Sequence, residues 1–152
     1  MATTNAEARQ QVLDAVGRAT DELGAALGLL GAAYERLDDH TADELEARLF
    51  RPVQMAYGRG QRTHAEFADR YGLPRRKFVP PPQGAPNRDV RHLIDAAMEA
   101  VSAADGTLSA LQDSMLPVEF GDRELRAGLQ GVRELLGALS GRARELVRTV
   151  GR

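Results

Sequence analysis

Apolar residues recur along this chain at alternating spacings of three and four, the period of an α-helix that buries one stripe. The first stripe runs Leu13, Val16, Leu23, Leu27, Leu30, Tyr34 and Leu37, with Thr20 as its one polar occupant. Ahead of it, Thr4 and Glu7 have capping-box spacing, so helix 1 is predicted over about 5–38. Thr41 and Glu44 repeat the signature, and helix 2 is expected over 42–71, with only Asp38 to His40 as a connection. Pro52 cannot donate to the carbonyl one turn back, so a kink or restart is expected near Arg51. Gly72 and Pro74 stop this helix.

Helix 3, expected over 88–116 with Asn87 as its N-cap, carries Val90, Ile94, Ala97, Val101, Ala104, Leu108, Leu111 and Met115, and Pro117 closes it. Helix 4, over 122–150 with Asp122 as its cap, carries Leu125, Leu129, Val132, Leu136, Leu139, Ala143, Leu146 and Val150. Four matched heptad segments and two short connections predict one all-α domain spanning 1–152. The expected form is an antiparallel, up-down-up-down four-helix bundle with left-handed supercoil and a kinked helix 2. A long Pro-rich loop, 73–87, then joins helices 2 and 3 around one end.

Charge sharpens the arrangement. The net charge of −2 divides into −4 over 1–41, +4 over 42–88, −4 over 89–118 and +2 over 119–152. An up-down-up-down ring sets each acidic helix between two basic ones. The composition excludes several chemistries. With no cysteine there are no disulfides, cysteine zinc sites or thiol nucleophiles. The near-neutral total argues against a nucleic-acid binder. No apolar run reaches a membrane span, and the start lacks the features of a secretory signal, so the expected setting is the cytoplasm. The 24 Ala, 19 Leu and 19 Arg, against one Ile and one Lys, favour helix and fit a GC-rich coding genome.

Small residues form a second pattern. Gly17, Gly24 and Gly31 recur every seven residues along helix 1, either because another helix of the bundle packs closely there or because the face serves self-association. In helix 2 the inward positions around Gly60 and Thr63 are small and face Thr20. Two readings follow: close helix approach, or a pocket for a small molecule lined by Met55, Tyr57, Arg59, Thr63 and His64.

Candidate chemistry is sparse. Height counting brings His64 and His92 within about one turn among several carboxylates, which raises a minor metal-binding reading. No Glu-x-x-His motif accompanies them, and neither metal nor cofactor is assigned. No nucleophile elbow or phosphate loop occurs, so no catalytic residue is assigned and the chain is read as a non-enzyme. The most distinctive segment is the loop, in which Arg75, Arg76, Lys77 and Phe78 precede Pro80, Pro81 and Pro82. It reads either as a docking element for a protein partner or as a stiff strap. The function expected is that of a surface-acting interaction or adaptor module, self-associating, with a small-molecule sensor or carrier as the alternative.

Overall fold

The computed structural model describes residues 4–79 and 88–150, and among these the secondary structure is all helix with no strand. The elements are α1 (Asn5–Tyr34), α2 (Asp39–Leu45), a π-helical turn (Glu46–Phe50), α3 (Arg51–Arg70), α4 (Val90–Asp113), α5 (Leu116–Glu119), α6 (Arg123–Leu136) and α7 (Leu139–Val150). The Thr4/Glu7 capping box is present in both directions. Asp122 accepts from the Leu125 amide and caps α6, and Gly72 takes the left-handed conformation that ends α3, with φ of 65°.

Several boundaries differ from expectation. Asp38 rather than Thr41 caps α2, its carboxylate accepting from the Thr41 amide, so the helix begins three residues earlier. Asp89 caps α4 by accepting from the His92 amide; Asn87 lies outside the described residues. The irregularity near Pro52 is a π turn just before it, after which α3 restarts with the proline in its first turn. The last segment is interrupted between Leu136 and Leu139, at Gly137 and Ala138, and α4 ends at Asp113 ahead of Met115, which has a φ of 65°.

The packing order departs from the expected up-down-up-down ring. Helix α1 lies between α3 and α4, α6 packs on the other side of α3, and α4 closes against α6 and α7. Arg9 stacks over Tyr71 while Thr20 meets Gly60, so α1 and α3 are antiparallel. Glu22 accepts from Thr107 while Arg9 donates to the Phe120 carbonyl, so α1 and α4 are antiparallel too. The same holds for α3 and α6, through Arg59 with Ala127 and Arg70 with Asp122. In chain order the directions are therefore up, down, down, up. The link from Gly72 to Asp89 starts and finishes at opposite ends of the molecule. Its eighteen residues can reach about 55 Å when extended, more than the roughly 36 Å of a helix the length of α4, so chain length permits the crossing.

This order sets acidic α1 along acidic α4, against the charge alternation. Exposed pairs contribute only about 0–1 kcal/mol each, too little to override apolar packing. Ala8, Leu13, Ala19, Leu23, Ala26, Leu30 and Ala33 of α1 are buried together with Ile94, Ala97, Ala104 and Leu108 of α4. No helix among the described residues is long and apolar enough to cross a membrane.

Candidate functional site

The chain that leaves α3 turns back along the groove between α1 and α3. Leu73 is half-buried and its amide bonds the Ala68 carbonyl, which reverses the chain direction. Residues 74–79 then run without secondary structure. Arg75 makes two hydrogen bonds with Asp69, at 2.8 and 2.7 Å, and Arg76 reaches across to Asp21 of α1 at 2.5 Å. The Arg76 guanidinium also stacks over the Phe78 ring, 4.6 Å from its centroid. Phe78 in turn sets its ring edge-on to His64, with centroids 5.3 Å apart. Neighbouring Lys77 and Val79 are exposed, Val79 at 73%. Segment 75–79 is therefore a strap with Arg76 and Phe78 facing in and Lys77 and Val79 facing out.

His64 is the pivot of this site. It is 4% exposed, and its Nδ1 is buried without a hydrogen-bond partner. Gly17 stands opposite: a Cβ there would come within 2.8 Å of the Arg76 guanidinium while meeting the imidazole only at ordinary contact, 3.8 Å. Beside the ring opens a cleft of about 460 Å³, lined by Gln10, Leu13, Asp14, Arg18 and Asp21 of α1 together with Pro74, Arg75 and Arg76 of the strap. Burial lowers the His64 pKa below its usual value and the Arg76 charge lowers it further, while Asp14 and Asp21 oppose both. The imidazole is therefore neutral at pH 7.

This carries a pH dependence whose sign is fixed. The unfolded chain takes up a proton on His64 near pH 6.5, whereas the folded chain resists it to lower pH. Stability from this group is fully present above pH 6.5 and is lost as pH falls toward the folded-state value. Urea midpoints measured from pH 7.5 to 5 should decline more steeply in the wild type than in His64→Leu. His40 and His92 are exposed and remain in both proteins, so equal slopes would show that His64 is not held neutral.

The remaining sequence-derived candidates divide clearly. Gly17, Gly24 and Gly31 are buried among the chain's own helices, so this seam serves internal packing and is no free face for a second copy. The five residues of the expected helix 2 pocket do not share one cavity. Met55 is 54% exposed, Arg59 lies along α6 against Gly131, Thr63 is buried against Gly128, and His64 turns to the strap. Around Gly60 the helices approach closely and enclose only about 10 Å³, room for at most a single water. His64 and His92 are not neighbours: one lies near the end of α3, the other in the first turn of α4 at the opposite end, because α3 and α4 run in the same direction. His92 pairs with Asp89 at 3.1 Å on the surface, and among the described residues no group of three or more His, Asp or Glu is placed to hold a metal. Pro80, Pro81 and Pro82 lie outside the described residues.

Sequence reasoning singled out Arg75, Arg76, Phe78 and His64 separately but missed Asp69 and Asp21, the acceptors of the two arginines. Only the spacing of Asp14, Gly17 and Asp21, three and four apart on one helix face, signals that site in the sequence. No family model, curated protein or solved structure matches this chain.

Proposed function

We propose that the chain is a non-enzymatic four-helix bundle that acts as an interaction module, with the strap as its docking element. The observation that carries this reading is the two-sided geometry of 75–79. The inward side chains fasten the backbone to α1 and α3, and the outward ones present a cation, Lys77, and an apolar group, Val79, to solvent. An extended segment already held in one conformation loses little entropy when a partner binds it. The three prolines that follow in sequence favour an extended backbone in the same way. The chemistry of Lys77, Val79 and the exposed Arg75, which is paired with Asp69, suits a protein partner with an acidic surface and a shallow apolar contact. Self-association belongs to the same reading, on a surface other than the buried glycine seam.

Affinity capture from the native host with the wild type and with Lys77→Glu/Val79→Asp tests the proposal. Both side chains are solvent-exposed, so the variant should retain the wild-type circular dichroism spectrum and thermal midpoint. At least one protein retained by the wild type should be lost by the variant. An identical set of captured proteins would exclude the strap as the docking element.

A further inference from the structure

Helices α4 and α7 stand apart along their outer faces and leave an open groove of about 490 Å³. Its floor is apolar, made by Met98, Ala143 and Val147. One wall, on α4, carries Asp95 and Glu99. The opposite wall, on α7, carries Arg144 and Arg148. All four are exposed, and none makes an ion pair or a side-chain hydrogen bond with another described residue. Elsewhere on this surface acids and bases find each other readily, as in Arg48 with Glu145 or Arg133 with Asp105. Here two acids and two bases line the same groove at the same four-residue spacing and remain apart.

We propose that this groove is a self-complementary interface that binds a second copy of the chain, with the two-fold axis parallel to the helices. The charge pattern decides both the occupant and the axis. A two-fold perpendicular to the helices and lying in the interface would set α4 over α4 and acid over acid. A two-fold along the helices sets α4 of each copy over α7 of the other and leaves heights unchanged. Because α4 and α7 run antiparallel with a common spacing of four, the Asp95/Glu99 row then faces the Arg144/Arg148 row of the second copy. The two apolar floors close on each other between these rows. Arg91, one turn before Asp95 on the same wall, lines the end of the groove. Such an isologous contact closes on itself and gives a dimer rather than a filament. Placing self-association on this groove rests on the module reading above and gives that reading its surface.

Sedimentation velocity with charge reversals tests it. The wild type, at 16.5 kDa per chain, should sediment as a dimer whose population falls with added salt. Asp95→Arg/Glu99→Arg alone should be monomeric, and Arg144→Glu/Arg148→Glu alone should be monomeric. An equimolar mixture of the two should recover a dimer, because each acidic wall again meets a basic one. All four positions are exposed, so both variants keep the wild-type helical spectrum. A monomeric wild type overturns both this interface and self-association. A dimer that survives either reversal, or a mixture that stays monomeric, overturns the interface and leaves self-association to another surface.

Discussion

Gly60→Ala and Gly128→Ala should each lower the stability of the protein by about 1–3 kcal/mol, and the double variant should depart from the sum because both displace α3 at the same level. Alanine is ordinarily the better helix former by about 0.5–1 kcal/mol, so the expected sign is the reverse of the propensity scale. Contacts decide it. A Cβ on Gly60 would sit 2.6 Å from the Thr20 hydroxyl oxygen, and one on Gly128 would sit 2.4 Å from the Thr63 hydroxyl oxygen and 2.8 Å from its methyl. Thr20 and Thr63 are both buried, and the Thr20 hydroxyl is held by a 2.7 Å bond to the Val16 carbonyl, so neither can swing clear into solvent. The helices must separate instead, and α1, α3 and α6 all meet at this level. Chemical denaturation provides the comparison, with a cycle that adds Thr20→Ala. In Gly60→Ala/Thr20→Ala the offending oxygen is gone and the nearest remaining atom, the residue 20 Cβ, is 3.5 Å away, so most of the loss should be recovered. Neutral or stabilising effects of both alanines would mean that the helices are not in close contact there.

The local half of the fold was legible in the sequence, and the contrast with the other half is physical. Capping is a relation among residues three apart, so Thr4 with Glu7 and Asp122 with Leu125 could be read directly. Where two caps competed, as Asp38 and Thr41 do, the earlier one won and moved the boundary. The break at Gly137 was hidden because Leu136 and Leu139 preserve the spacing of three on either side of it. Helix direction left no trace at all. A heptad stripe reads the same whether the neighbour is parallel or antiparallel, and only the reach of the 72–89 link could bear on it. Counting heights with the wrong direction for helix 3 then paired His64 with His92, which lie at opposite ends.

The candidate site shows the same division. His64, Phe78 and the basic residues stand out by type, but the burial of His64 depends on the strap that returns over it. The acceptors of Arg75 and Arg76 come from α3 and α1, six and fifty-five residues away in sequence, and only the folded chain selects them. Exposed ion pairs of this kind add little stability individually. Their role here is to fix which side chains of the strap face outward.

The arrangement of the helices underlies the strap, the groove and both histidine assignments, and a distance measurement tests it. The chain has no cysteine, so pairs of cysteines introduced at exposed positions can carry spin labels without background. Arg91 marks the start of α4, Glu35 the end of α1, and Gln11 the beginning of α1; all three are exposed. Positions 11 and 35 are separated by about 36 Å along α1, at 1.5 Å per residue. Pulsed electron–electron resonance should give a short distance for the 35/91 pair and one longer by most of that helix length for the 11/91 pair. The reverse, with position 91 close to 11 and far from 35, is what an up-down-up-down bundle requires, and it would contradict the structure described.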